Sequence, residues 1–189
     1  MKKINKGKKG YINYKKKLNL CIVLAFAIII ISLFVSGILI FKSRNNYCTL
    51  IAVVLVLPAA KFITSYIITC RATPIDKESY SSIDNIGYDY MLYDLIIANS
   101  KSPQGIMSAA IDGNSIYLYE DGNIDIAFIS KSITDFLSNV KITANVHIYK
   151  DKNKYIKAVK ETNINFNKND KELIARTDYT CKQLLNMCI

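Results

Sequence analysis

Not one Asp or Glu occurs between Met1 and Ile75, whereas twelve Lys or Arg do; the remaining thirteen basic residues share the stretch from Asp76 onward with all fifteen acids. The net charge of +10 thus divides into +12 for the first part and −2 for the second. A nucleic-acid-binding protein needs a basic folded surface, so despite the high pI no nucleic acid is expected as a partner. Histidine occurs once, and the five cysteines (Cys21, Cys48, Cys70, Cys181 and Cys188) show no CxxC spacing. That excludes a His-based metal site, a zinc cluster and a thiol-redox motif. An odd number of cysteines, three of them in apolar segments, makes no disulfide framework, and reduced thiols fit a cytoplasmic domain. Only seven glycines occur, none in a phosphate-cradling loop, and no cofactor is implied.

What is there instead is a pair of long apolar runs. Leu18 to Phe41 is 24 residues without a charge, a helix of about 36 Å against a hydrocarbon layer of about 30 Å. Tyr47 to Cys70 is as long and carries one charge, Lys61, and the five residues Lys42 to Asn46 separate the two runs. Because every backbone amide in hydrocarbon needs an internal partner, the pair is predicted to be an antiparallel helical hairpin. A cleaved signal peptide also begins with lysines, but this run is too long for a signal core and is followed by Lys42 and Arg44 rather than a small-residue cleavage site.

Eight lysines precede the first span (Lys2, Lys3, Lys6, Lys8, Lys9, Lys15, Lys16 and Lys17), against Lys42 and Arg44 in the connection. The positive-inside bias then puts the N-terminus, residues 1–17, in the cytoplasm, and a second crossing returns the chain there. The expected location is the cell membrane, multi-pass, with the C-terminal domain cytoplasmic. The lysines, interleaved with Tyr11 and Tyr14, have two readings: they only set this topology, which is the preferred one, or they also recruit anionic lipid, at about 1 kcal/mol per near-surface charge. Lys61 has two readings. An ammonium at the bilayer centre costs about 2.5 to 3.5 kcal/mol, which would mark a partner contact within a larger membrane complex, or the side chain snorkels to the cytoplasmic headgroups. Pro58, just before it, can kink the second helix.

Residues 72–85 (ATPIDKESYSSIDN) read as a polar linker, and residues 86–189 as one domain, large enough for a core without metal or disulfides. Tyr88 to Ala98 is apolar on both alternating faces, as a doubly covered strand would be. Ile106 to Ile111 and Ser115 to Tyr119 flank Asp-Gly-Asn and predict a hairpin. From Asn123 to Asn139 apolar residues recur every three or four, predicting an amphipathic helix capped by Asn123 or Asp125. Ala144 to Tyr149 alternates as a strand, Lys152 to Glu161 is a short helix, the Asn-rich TNINFNKND a loop, and Asp170 to Met187 a last helix. The fold class expected is a two-helix transmembrane hairpin followed by a small α/β domain, β-β-β-α-β-α-α, on a mixed four-stranded sheet.

GYINYKKK before the first span, LPAAK in the second, MLYDLIIA on the first strand and GNSIYLYE on the hairpin together resemble a family of uncharacterised two-helix bacterial membrane proteins. The resemblance covers most of the chain and implies the same layout in the plasma membrane. Some members carry a label likening them to O-linked N-acetylglucosamine transferases; such an enzyme needs a nucleotide-sugar domain larger than this one and repeats that are absent here. The order of three strands, a helix and a strand is also similar to restriction-endonuclease-like and nuclease-related domains. That similarity implies an Asp on the second strand and Glu-x-Lys on the third, two carboxylates holding a divalent cation while the lysine assists water. Glu120 falls where that Glu would lie, but Gly122 takes the lysine position and Met107 and Ser108 stand in place of the Asp.

Other candidates for chemistry are few. Asp94 lies in an apolar strand and would have a shifted pKa if buried, but a strand-end aspartate bonded to a neighbouring backbone amide is the commoner case. His147 alternates out of phase with Val146 and Ile148 and is expected at solvent or a helix edge. Ser130, Ser132 and Ser138 have no activating context, and Cys181 and Cys188 are expected to pack. The function expected is a membrane-tethered cytoplasmic interaction module that binds a protein partner or itself, with no catalytic, cofactor or metal residues. The alternative is a degenerate nuclease-like or phosphate-acting enzyme joining Glu120, Asp94 and Asp121 in one cleft.

Overall fold

A computed structural model describes residues 3–42, 46–97, 103–122 and 125–189. The chain divides into two compact units, Asn13–Cys70 and the combination of Met1–Ile12 with Arg71–Ile189.

The first unit is helical. Helix α1 is Tyr11–Phe41 and α2 is Tyr47–Arg71, and both are long and apolar enough to cross a membrane. Their large side chains face outward: Leu39 is 72% and Leu57 75% exposed. A core helix of a soluble protein would bury such groups, since apolar area left in water costs about 25 cal/mol per Å². Where the helices meet, small and polar residues join one aromatic pair. Ala52 and Ala59 are buried, Asn19 donates from Nδ2 to Ser65 Oγ at 2.8 Å, and Phe26 stacks on Phe62 at 5.9 Å. A Cβ on Gly37 would stand 2.8 Å from Cys48 Cβ, so only glycine lets the helices approach there. Asn46 caps α2 by accepting from Thr49 N at 2.9 Å, and α2 continues through Pro58.

The second unit is a mixed sheet with helices on both faces. Strands β1 (Met91–Ile97), β2 (Gln104–Asp112) and β3 (Ser115–Tyr119) form an antiparallel meander, and β4 (Asn145–Tyr149) lies parallel to β3, in the order β1-β2-β3-β4. Helices α3 (Lys77–Asp84), α4 (Ile126–Asn139), α5 (Lys152–Asn165) and α6 (Lys171–Met187) complete it. One face packs Leu95, Ile97, Ile106 and Ile111 against Ile129, Ile133 and Leu137 of α4 and Leu184 of α6. The other is rich in tyrosine: Tyr88, Tyr93, Tyr119 and Tyr155 share a cluster with Ile75, Ile83 and Val159. Their hydroxyls are partnered within the protein; Tyr88 donates to Ile111 O at 2.6 Å, and Tyr155 bonds Ser108 Oγ at 3.0 Å.

The α-helices of this unit start alike. Asp76, Asp125, Asp151 and Asp170 precede α3, α4, α5 and α6, and each accepts a backbone N–H of the first turn. Of the two caps expected for α4, Asp125 is the one observed; Asn123 lies outside the described residues. Two expectations need correction. The linker expected over 72–85 contains helix α3, whose polar surface hid it: Ile75 and Tyr80, at the positions of a hydrophobic staple, and Ile83 are its apolar residues and belong to the tyrosine-rich cluster. Helix α5 also runs on to Asn165, taking up four of the nine residues of the loop expected there.

The N-terminal segment is part of this unit. Gly7 and Gly10 have φ of 78° and 83°, and the turns they allow bring Gly7 O to Tyr93 N at 2.9 Å on the outer edge of β1. Tyr11 and Ile12, the start of α1, are buried. Tyr11, which the sequence shows only as an aromatic among lysines, is thus a packing residue.

Candidate functional site

Asp94 is the most unusual residue of the domain. It lies in β1 between Tyr93, paired with Ser108, and Leu95, paired with Ile106. Its φ is 52°, left-handed and non-glycine, a conformation that costs about 1 to 2 kcal/mol for a residue with a Cβ. The alternation of β1 slips here, with Leu92 and then Leu95 and Ile97 on one face and Tyr93 on the other; β2 slips at the facing Met107 and Ser108, so the register survives.

The turn directs the Asp94 carboxylate at two distant backbone amides. Oδ2 accepts from Gly10 N and Oδ1 from Ile75 N, the latter at 2.9 Å. Burial pushes the Asp94 carboxyl up, against the bonds from Ile75, Gly10 and Tyr11 that favour its charged form. The Asp94 carboxylate does bond backbone amides, but not a neighbouring one from a strand end as expected: it lies within β1 and the amides are 84 and 19 residues away. They belong to the segment that leads into α1 and the one that follows α2.

Glu120 occupies a similar position at the end of β3. It is 3% exposed; Oε2 accepts from Met107 N at 3.1 Å and Oε1 from Gly122 N at 3.3 Å. Burial, helped by the neighbouring Asp121, pushes its carboxyl up to about 7 from an ordinary 4.5, against the pull of those two amides. Asp121 itself is exposed. The cleft that the nuclease-like alternative requires from Glu120, Asp94 and Asp121 is therefore not supported: both buried carboxylates bond separate stretches of backbone. Among the described residues no three His, Cys, Asp or Glu gather where a metal ion could be held.

The remaining candidates are dispersed. His147 is exposed on β4 and stacks on Tyr117 at 5.4 Å. Ser138 donates to Asp135 O at 2.8 Å within α4, and Ser130 O accepts from Thr134. Cys181 and Cys188 pack against the α4 face of the sheet, and burial pushes both thiols up to about 12. Lys61 is exposed on α2.

Of the eight N-terminal lysines, Lys2 lies outside the described residues, and Lys3, Lys8 and Lys17 are exposed while Lys15 and Lys16 are half-buried. Lys6 and Lys9 have a role that the sequence did not suggest. Lys6 Nζ donates to Cys188 O at 2.9 Å, and Lys9 Nζ lies 3.7 Å from the centre of the Tyr80 ring. The signal lay in the glycines at positions 7 and 10, which mark turns but not what the turns meet. Compared with protein-family models, curated proteins and solved structures, the chain matches none.

Proposed function

We propose that this chain is a membrane-tethered interaction module: α1 and α2 cross the bilayer as a hairpin and hold the α/β domain at the cytoplasmic surface, where it binds a protein partner or itself. The observation that carries the reading is the pair of hydrogen bonds that Asp94 accepts from Gly10 N and Ile75 N. Through it the residues that lead into α1 and those that follow α2 are parts of the domain itself, so the domain is anchored by two strands of chain and not by one flexible linker. Two ends within one folded unit must share one side of a membrane, as two crossings require. The outward-facing leucines and isoleucines of the hairpin support the crossing, and eight lysines against Lys42 and Arg44 support the cytoplasmic side. The exposed lysines would add attraction to anionic lipid.

The test has two arms. Membranes washed at alkaline pH are expected to retain the protein, and reporters fused before Met1 and after Ile189 are expected to be active in the cytoplasm together. Mild detergent extraction is then expected to yield the chain in an assembly larger than a monomer. Release by the alkaline wash, reporters on opposite sides, or a monomer from which no partner is captured would each overturn the proposal.

A further inference from the structure

The two edges of the sheet are treated differently. Along the outer edge of β1, Tyr93 N donates to Gly7 O and Ile189 N to Ile96 O, both at 2.9 Å, and Cys188 bridges Ile97. The chain's own two ends cover that edge. The outer edge of β4 bonds to nothing among the described residues. Asn145 N donates inward to Asn114 O at 2.7 Å and Tyr149 O accepts inward from Glu120 N at 3.1 Å. Residues 145, 147 and 149 thus turn their backbone groups toward β3, and Val146 and Ile148 turn theirs outward. No proline or charged residue interrupts β4 to blunt this edge.

We propose that the open edge joins two copies of the chain, β4 against β4, antiparallel about a two-fold axis at His147. The inference rests on the reading of the domain as an interaction module and names its partner. The geometry favours a second copy because β4 is complementary to itself. Val146 of one copy opposite Ile148 of the other forms a hydrogen-bonded pair, the reciprocal pair forms another, and every outward N–H and C=O of those residues is satisfied. His147 then faces its counterpart in the non-hydrogen-bonded pair between them. The covered edge of β1 prevents β4 from adding to the far edge of another copy, so pairing closes at two and does not run on into a fibre. Confinement to a bilayer raises the effective concentration for such an encounter.

The test uses the full chain in lipid nanodiscs. Across a non-hydrogen-bonded pair the Cα atoms stand about 4.5 Å apart, within disulfide reach. Under mild oxidation with copper phenanthroline, His147→Cys is expected to run mainly as a cross-linked dimer. Tyr117→Cys, on the same face but one strand inward, is expected to cross-link no more than the unmodified protein with its five native cysteines. Val146→Pro removes an outward N–H and no bond to β3, and is expected to convert the dimer to a monomer; if that variant does not fold, the cysteine pair alone decides. Cross-linking of His147→Cys no stronger than that of Tyr117→Cys overturns the inference. If the protein is then still dimeric, or captures a different protein, the module reading survives without it; a monomer with no captured partner ends both.

Discussion

At the scale of single residues, the domain keeps two carboxylates out of water for the sake of backbone amides. Glu120 holds Met107 N–H where the β2–β3 ladder ends, and burial pushes its carboxyl up to about 7. A folded-state value above the unfolded 4.5 means the neutral form is preferred. Its stabilising contribution is therefore complete below about pH 4.5 and is lost as pH rises through about 7. Glu120→Gln keeps an acceptor for Met107 and cannot ionise; its amide meets Gly122 N only across the longer contact of 3.3 Å. The melting temperature of the unmodified protein is expected to fall more than that of Glu120→Gln between about pH 5 and pH 8. Parallel melting profiles across that range would contradict the placement of Glu120.

Among the elements, the N-terminal turn decides whether β1 is a free edge. Gly7 sits at φ 78°, and a Cβ there would stand 2.9 Å from Leu92 Cδ2 and 3.0 Å from Leu185 Cδ2. Left-handed strain and overpacking together are expected to cost Gly7→Ala about 2 kcal/mol. The loss is expected to be localised: amide exchange at Tyr93 should quicken and a protease should cut before Tyr11, while the β2–β3 turn stays protected. That turn is held independently from α6, where Thr177 Oγ1 accepts from Gly113 N at 2.9 Å and Thr180 Oγ1 donates to Gly113 O at 3.1 Å. Uniform loss of protection would show that the N-terminal turn does not act on β1 alone.

Across the whole molecule, the domain is assembled from both ends of the chain with the apolar hairpin inserted between them in sequence. Asp94 joins three stretches, and its loss should act on all of them. Asp94→Ala leaves the Gly10 and Ile75 amides without an acceptor at a site where Asp94 is fully buried, and it keeps a Cβ at positive φ. Unfolding of the solubilised protein is expected to lose about 3 kcal/mol. Protection of residues 3–12 and of the segment around Ile75 should fall together. Independent behaviour of the two segments would mean that Asp94 does not couple them.

Features that depend on a few neighbouring residues were legible without any structure. The two apolar runs, the absence of acid before Asp76, the apolar runs around Asp-Gly-Asn, the alternation of β4, and the three- and four-residue spacing of α4 with its Asp125 cap all act within one turn or one strand, and they give the order of elements from β1 onward. Helix α3 escaped because its apolar residues are few and gain their meaning only from the tyrosine-rich face they meet. Tertiary packing alone decided the rest: that Lys6, Gly7, Lys9 and Tyr11 belong to the domain, that Asp94 binds amides 84 and 19 residues away, and that Glu120 is buried with a raised pKa. It also closed one sheet edge and left the other open. Backbone hydrogen-bond partners and desolvation depend on which distant segments are brought together, and no local pattern of residues encodes that.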